Sequence, residues 1–334
     1  DGTLLTAGYG DVRGWDIANT RELLSVDPTN SLQADALAVS PDGRTFVTAS
    51  SGSVQLWASR TGEEYALFDA GQAVMAPDGN ELAVVSQDGV RLQAAGPEDP
   101  IAARLPGWEA GAYRDPAFTA KSRFLYAQQG LSVVWWDTAT GERAGALDLS
   151  GKANGDIALA PDGAALGGSM RLPGETARLV PVLLATATGK PRPLAGDMPP
   201  YEAIRQLGFS PDGSLFFVNG STLTTEAGSN RIVRVWDTAT GRLHLPSEGV
   251  AGGTGSFPVD GGFGRGASLI FSPDGKRIIT ANEDGITVWA VADGAKLAEI
   301  PAGSTPISAV AMAITADGGR LVIPDGSTTT ARIW

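Results

Sequence analysis

Ser40-Pro41-Asp42-Gly43 is the first full copy of a four-residue turn that recurs along the chain. In such a turn Pro presets φ at the second position, Asp bonds the backbone ahead of it, and Gly accepts a positive φ. Successive Asp positions lie 36 to 62 residues apart, a spacing that indicates stacked supersecondary units. The other copies, including degenerate ones, are residues 1–2, 76–79, 119–122, 160–163, 210–213, 272–275 and 315–318.

The same smaller signals surround each copy of the turn. An apolar run such as residues 36–39 precedes it, and a β-rich run such as residues 45–49 follows it. A second tight turn, a strand that ends in Trp and a further turn into a fourth strand complete the unit. This pattern predicts an all-β fold, a β-propeller of four-stranded antiparallel blades. The recurring tryptophans, predicted to be core, are Trp57, Trp136, Trp236 and Trp289.

With these residues the chain resembles the WD40-repeat propellers over nearly its whole length. The Ser-Pro-Asp-Gly turns and Trp-Asp pairs such as Trp136-Asp137 carry the resemblance. Many repeats of that family place a His before the inner strand, where it bonds a turn Asp and the strand Trp. The one histidine of this chain, His244, falls in an outer-strand position, so the chain resembles the degenerate bacterial form. We therefore expect apolar packing and ladder hydrogen bonds alone to hold the blades.

Seven blades are the favoured prediction, and eight are expected if an inner strand precedes residue 1. Residues 1–334 are predicted to form a single domain. The chain begins within a turn and ends on a strand, so we expect the domain to be cut from a longer polypeptide. The seven inner strands that can be counted lie near Ala38, Val74, Ala117, Ala158, Leu207, Ile270 and Ala311.

Composition excludes several classes of partner. The formal net charge is −12 and the basic residues are dispersed, which argues against nucleic acid and against an anionic membrane surface. A neutral or basic protein surface remains compatible, and the alternative is that the charge only maintains solubility. The chain has no cysteine, which excludes thiolate metal sites. It shows no apolar run of membrane-span length and no signal-peptide pattern, so we expect a cytoplasmic protein.

The repeated units differ in length mainly in their second-to-third turns and in the connections between units, which are expected to lie on the same side of the fold. Turns between the first and second strands, and between the third and fourth, are short and nearly invariant. Insertions collected on one side of a repeat protein commonly mark its binding face. The expanded second-to-third turns are residues 168–177 and 219–231, and the expanded blade connections are residues 106–115, 195–203 and 245–267.

Residue types typical of binding hot spots occur in these insertions. We predict that a partner contacts Trp108, Tyr113, Arg114, Tyr201 and Arg265. The alternative interpretation is that the aromatic side chains tuck the long loops down onto the propeller. The predicted function is a non-catalytic scaffold or sensor that binds a protein or peptide. The resemblance suggests the C-terminal part of a larger bacterial signalling protein.

A propeller enzyme, a hydrolase or lyase that acts through carboxylates at the central channel, is the competing prediction. Nucleophilic catalysis needs a nucleophile beside a base. A single histidine on an outer strand allows no Ser–His or His–metal arrangement. The ligand spacing of a calcium loop is missing, and the docking Trp of quinone-cofactor propellers does not follow Gly141 or Gly241. We therefore predict no catalytic residue, no metal and no cofactor.

Overall fold

The computed structural model of the protein consists of β-strands joined by turns, with no α-helix in the residues that it describes. This confirms the all-β prediction. The chain divides into two compact units, Asp1–Leu149 and Ser150–Trp334. The residues described are 3–7, 12–16, 21–26, 36–40, 42–50, 52–86, 89–95, 103–104, 113–119, 121–150, 157–171, 178–195, 201–224, 228–244, 257–258, 268–282, 285–301, 313–314, 321–324 and 331–333.

The first unit contains a three-stranded sheet followed by three four-stranded sheets, all antiparallel and each a meander in which sequence neighbours pair. The sheets comprise β1–β3, β4–β7, β8–β11 and β12–β15. The strands are β1 (Thr3–Ala7), β2 (Val12–Asp16), β3 (Arg21–Val26), β4 (Ala36–Val39), β5 (Thr45–Ser50), β6 (Ser53–Ala58), β7 (Glu64–Asp69), β8 (Gln72–Met75), β9 (Glu81–Ser86), β10 (Gly89–Ala94), β11 (Ala103–Arg104), β12 (Tyr113–Phe118), β13 (Phe124–Gln129), β14 (Ser132–Asp137) and β15 (Arg143–Asp148).

The second unit repeats the plan with β16–β19, β20–β23, β24–β27 and the three-stranded β28–β30. A single bridge between Leu179 and Tyr201 joins its first two sheets. The strands are β16 (Ile157–Leu159), β17 (Ala165–Arg171), β18 (Leu179–Ala185), β19 (Pro191–Arg192), β20 (Tyr201–Phe209), β21 (Leu215–Thr224), β22 (Gly228–Asp237), β23 (Phe257–Pro258), β24 (Ser268–Phe271), β25 (Arg277–Asn282), β26 (Gly285–Ala290), β27 (Lys296–Pro301), β28 (Ala313–Ile314), β29 (Leu321–Pro324) and β30 (Ala331–Ile333).

The predicted inner strands correspond to the first strands of seven sheets, namely β4, β8, β12, β16, β20, β24 and β28. The last of these begins at Ala313, two residues beyond the predicted Ala311. The sheet β1–β3 adds three further strands before the first predicted inner strand. The number of blades therefore stays a prediction, with seven favoured.

The recurring tryptophans are buried, which confirms that they are core residues. Each lies on the third strand of its sheet, opposite an apolar residue of the second strand. The Phe46 and Trp57 rings, for example, stack at 6.0 Å. The buried residues Gln93 and Leu184 take the same place in the two sheets that lack the Trp. The four pairs are Phe46–Trp57, Leu125–Trp136, Phe216–Trp236 and Ile278–Trp289.

Side-chain hydrogen bonds also anchor three of these tryptophans. Trp57 Nε1 donates to Thr48 Oγ1 at 2.9 Å, and Trp289 Nε1 donates to Thr280 Oγ1 at 3.0 Å. The expectation that packing and ladder bonds alone hold the blades is wrong here, because a second-strand Thr supplies an acceptor without a His. Trp236 instead donates to the carbonyl oxygen of Ala195 at 3.2 Å.

The Ser-Pro-Asp-Gly turns are closed by one serine hydroxyl that both donates and accepts. Ser210 Oγ donates to Asp212 Oδ1 at 2.6 Å and accepts from the backbone N–H of Leu215 at 3.0 Å. Asp212 Oδ1 accepts in addition from the backbone N–H of Ser214 at 3.0 Å, and Gly213 has a φ of 74°. The same bonds form around Ser40 and Ser272.

The degenerate turn at residues 119–122 keeps this geometry with different side chains. Thr119 Oγ1 accepts from the backbone N–H of Phe124 at 3.1 Å, as the serine does elsewhere. Ser122 takes the place of the glycine and adopts a φ of 55°, which is strained for a residue with a Cβ. Its hydroxyl accepts from the backbone N–H of Asp78 at 3.2 Å and so ties this turn to the turn of the preceding sheet.

Thr48→Val tests the Trp–Thr hydrogen bond. Val conserves the shape of Thr but leaves the buried indole N–H of Trp57 without its acceptor, so we expect a loss of about 1–3 kcal/mol in unfolding free energy. Guanidinium denaturation measures this loss. In a Trp57→Phe background, where no N–H is present, the same substitution is expected to cost less. Equal costs in both backgrounds would show that the bond contributes nothing.

Asp212→Asn tests the turn hydrogen bonds through their pH dependence. The Ser210 hydroxyl bond, followed by the bonds from Ser214, lowers the pKa of Asp212 below its ordinary value of 3.8, although partial burial opposes this. Because the folded-state pKa is the lower one, the unfolded chain binds more protons in the window between the two values. The stabilisation is therefore complete above about pH 5 and is lost as the pH falls through the folded-state pKa.

We accordingly expect wild type to exceed Asp212→Asn in unfolding free energy at pH 6, and the difference to shrink steadily as the pH falls below 3.8. Urea denaturation at a series of pH values measures it. In a Ser210→Ala background the pH dependence of that difference should be smaller, because the main cause of the lowered pKa is gone. An unchanged dependence would assign the lowering to another group.

Candidate partner-binding surface

Each four-stranded sheet has two chemically different ends. The antiparallel meander puts the first-to-second and third-to-fourth turns at one end, which we call the short-turn end. The second-to-third turn and the connection to the next sheet lie at the opposite end, the long-loop end. The hydrogen-bonded Ser-Pro-Asp-Gly turns all belong to the short-turn end.

The insertion predicted at residues 219–231 is largely β-ladder and not loop. Strands β21 and β22 are ten residues long, and their pairing continues without a break to Thr224 and Gly228. The insertion at residues 168–177 is ladder in part, because Arg171 pairs with Leu179. The length variation therefore extends the sheets at the long-loop end.

The insertion predicted as a blade connection at residues 245–267 interrupts an outer strand instead. Leu243 forms a bridge with Trp236, and Phe257–Pro258 pairs further along the same strand β22. The backbone N–H of His244 donates to the carbonyl oxygen of Val235 on β22 at 2.9 Å. Because β22 is the third strand of its sheet, this bond confirms the outer-strand position of the histidine. The outer edge of this sheet is thus built from two segments that are separated in sequence.

Two of the five predicted partner contacts are buried. Tyr113 is 7 % exposed and packs at 6.1 Å against the ring of Trp136. Tyr201 is 0 % exposed and belongs to the apolar cluster that contains Val218 and Trp236. Both residues begin the first strand of a sheet, and the side chains of both point into the core. They are therefore corrected to core residues, as the alternative interpretation of the aromatic side chains expects.

Arg114 is exposed at the long-loop end of the sheet β12–β15. Successive side chains of a strand point to opposite faces, so the burial of Tyr113 is accompanied by the exposure of its neighbour. Trp108 and Arg265 lie outside the described residues, and their predicted role stays a prediction.

Leu131 is a surface residue that sequence reasoning missed. Its side chain is 51 % exposed in the Gly130–Leu131 turn between β13 and β14. The pairing of Tyr113 with Gln129 puts this turn beside the start of β12, at the same end of the sheet as Arg114. The carbonyl oxygen of Leu131 accepts from the backbone N–H of Leu149 at 2.7 Å, which fixes the turn.

A sequence signal for Leu131 does exist. The two sequence positions between the second and third strands are polar or small in three other sheets, whereas here they include a large apolar residue. A single exposed leucine is ordinary on a protein surface. Its interest comes from its position beside Arg114 at the long-loop end. The equivalent sequence positions are Ser51-Gly52, Gln87-Asp88 and Glu283-Asp284.

The described residues include few candidates for catalytic side chains. In these ranges, no three His, Asp or Glu side chains converge as metal ligands. The ring of His244 is half-buried, and its Nε2 donates to the carbonyl oxygen of Val291 at 3.0 Å. Burial, together with the nearby Asp78, raises the pKa of Glu81, which lies at the start of β9. The described part of the chain also contains no helix long and apolar enough to cross a membrane.

Comparisons with known proteins support the fold. The model of the WD domain, G-beta repeat, matches residues 29–58, which contain β4, β5 and β6. A chain of Kuenenia stuttgartiensis hydrazine synthase, a β-propeller, resembles this chain with a TM-score of 0.57 and 15 % identity. The similarity covers 89 % of this chain and 94 % of that chain. No curated protein matches the sequence significantly.

At this level of identity the likeness concerns the fold alone. Solved structures contain 1265 chains that match, so the fold is too widespread to select a function. A function has to be argued from the side chains of this chain.

Proposed function

We propose that this WD40-like β-propeller is a non-catalytic scaffold or sensor that binds a protein or peptide at the long-loop end of its sheets. WD40 repeats and propellers generally support protein interaction. The observation that carries the proposal is the contrast between the two ends. The short-turn end repeats one hydrogen-bonded turn, whereas the long-loop end differs from sheet to sheet in length, pairing and exposed side chains.

The chemistry at the long-loop end of β12–β15 suits a peptide partner. Leu131 offers an aliphatic contact on a fixed turn, and Arg114 offers a cation with several donors beside it. A large apolar contact next to a directional polar one is a common composition of the energetic centre of an interface. Trp108 and Arg265 remain members of the proposed surface on the grounds of their residue type.

The net charges of the two units favour a partner with a particular surface charge. Residues 1–149 contain 20 acidic and 10 basic residues, a net charge of −10, whereas residues 150–334 contain 17 acidic and 15 basic residues plus one His, a net charge of −2. A neutral or basic protein surface would therefore associate most readily with the first unit. We also propose that the domain serves a larger cytoplasmic bacterial signalling protein, on family resemblance alone.

The competing function is a hydrolase or lyase that uses carboxylates. Glu81 favours it most among the described residues, because a raised pKa suits a general acid. Its partner Asp78 lies in the short-turn end, where the turns repeat from sheet to sheet. A screen of esters, glycosides and phosphoesters is therefore expected to show no turnover. Robust hydrolysis that is lost in Glu81→Gln would replace the scaffold proposal with an enzyme.

The binding proposal is tested with peptides selected from a random displayed library against the wild-type protein. Arg114→Ala and Leu131→Ala are expected to weaken the selected peptides about tenfold or more each if they are hot spots. Isothermal titration calorimetry measures the affinity, and thermal melting checks that the fold is intact. Trp108→Ala and Arg265→Ala extend the same test to the proposed contacts outside the described residues.

Matched controls come from the same kinds of side chain elsewhere. Arg143 is exposed at the short-turn end of the sheet that carries Arg114, and Leu67 is 53 % exposed on the outer strand β7. Ala at either control position should leave peptide affinity unchanged. If Arg143→Ala abolishes binding while Arg114→Ala and Leu131→Ala do not, the partner binds at the other end and the proposal is wrong.

A further inference from the structure

Arg234 places a cation inside the apolar packing between two neighbouring sheets of the second unit. It lies in the middle of β22, is 3 % exposed, and pairs in register with Val218 of β21. Val218 and Trp236 share its face of the sheet and pack against residues such as Leu183 of the preceding sheet. A charge in such surroundings is strongly destabilising unless it is paired and hydrogen-bonded.

Two donor atoms of this cation lack an acceptor among the described residues. Nε and Nη1 of Arg234 are buried without a hydrogen-bond partner, and the buried hydroxyl group of Tyr201 has no partner there other than the guanidinium group. The guanidinium carbon of Arg234 lies 5.7 Å from the centre of the Tyr201 ring. In the described ranges, no carboxylate forms an ion pair with Arg234. The ring face attracts the cation but cannot accept its in-plane N–H bonds.

The fold holds the Tyr201 ring in this place. A Cβ at Gly220 would clash with the backbone carbonyl oxygen of Ala203 and would lie 2.6 Å from Cδ1 of Tyr201, so the glycine leaves room on β21 for both the neighbouring strand and the ring. The bridge between Leu179 and Tyr201 fixes the backbone here and joins the two sheets. Burial raises the pKa of Tyr201, although the charge of Arg234 and a hydrogen bond from its guanidinium group to the phenol oxygen act in the opposite direction. The phenol therefore keeps its proton at neutral pH, and its O–H remains a donor.

We propose that Arg234 and Tyr201 form a binding site for a small monovalent anion of about the size of chloride. Two guanidinium N–H groups and one hydroxyl group are all donors, so the complementary group is an acceptor. A negative charge is required as well, because a water molecule satisfies N–H bonds but leaves the charge of Arg234 uncompensated in apolar surroundings. The close packing around Val218 and Trp236 selects a small ion over a large hydrated one such as sulfate.

The site is tested by thermal melting of the whole chain in increasing sodium chloride, with sodium gluconate added to keep the ionic strength constant. An anion that binds only the folded state raises the melting temperature in a saturable way, here by at least about 2 °C. Arg234→Met should fold, because an apolar side chain of similar length replaces the buried charge, and should lose the chloride response. Tyr201→Phe should keep the response and raise the half-saturating chloride concentration about tenfold.

Arg242→Met is the matched control, since Arg242 is an exposed arginine next to the same sheet. It should respond to chloride as the wild type does. No chloride response in the wild type, or an equal response in wild type and Arg234→Met, would overturn the proposal. A second measurement, anomalous diffraction from bromide-soaked crystals, should give a peak between Arg234 and Tyr201, and the absence of a peak there would count equally against it.

Discussion

The inner strands of a sheet must be covered by apolar side chains on both of their faces, and the other features of this chain depend on that constraint. In β9 and β13 the four central residues are all buried, although successive side chains point to opposite faces. Neither strand has a solvent side. Each face of β9 is covered by a neighbouring sheet of the same unit, through the cluster that joins β4–β7 to β8–β11 and the cluster that joins β8–β11 to β12–β15. In the second unit a similar cluster joins β20–β23 to β24–β27. The outer strand β7, by contrast, has no fully buried residue and is exposed at Glu64, Leu67 and Asp69.

This constraint explains why the two ends of a sheet diverge. Most of the buried apolar residues lie in the middle of the strands, although Tyr113 and Tyr201 extend the core to the start of β12 and β20. At the short-turn end the hydroxyl groups of Ser40, Ser210 and Ser272 accept from backbone N–H groups at the start of the second strand. The turns at Ala76 and Ala160 close with the same backbone bonds but without a serine, so the backbone geometry of the turn is what repeats. At the long-loop end a backbone bond recurs in two sheets, from the N–H of Ala70 to Gly52 and from the N–H of Leu149 to Leu131, and the length of the connections varies from sheet to sheet. Sequence variation therefore accumulates where the fold demands least.

The fold was predictable from sequence because the repeated signals are local. The position of Trp57 opposite Phe46 and the turn at residues 40–43 follow from spacing and residue type. The Trp57–Thr48 bond was missed because a Thr on a strand is also ordinary β-forming sequence. The sequence predicts an expanded turn at residues 219–231 because Asn, Gly, Ser and Thr are typical of turns, whereas a ladder of backbone bonds accepts any of them.

The candidate surface was less predictable, because residue type does not fix direction. Tyr113 and Arg114 are both hot-spot residues by type, yet the strand turns one inward and the other outward. Which of the two side chains points inward can be decided only when the first residue of β12 and the direction of its side chain are known. Leu131 escaped notice for the opposite reason. Its residue type is typical of the core, and only the hairpin register puts it at a turn.

The contact between the sheets β16–β19 and β20–β23 is made partly by glycine and aromatic residues, and in this it differs from the largely aliphatic contacts between other neighbouring sheets. Phe216 lies against the Cα of Gly167 in the neighbouring sheet, and Tyr201 lies against Gly220 in its own. Flat rings on bare backbone bring the strands close but leave fewer aliphatic side chains to fill the space. A long side chain with a planar end, such as Arg234, fits beside a ring where a branched aliphatic one would not. From sequence alone, a glycine within a strand predicts a bulge or a locally weakened strand. Here Gly220 instead leaves the space that the Tyr201 ring occupies, with the buried charge of Arg234 beside the ring.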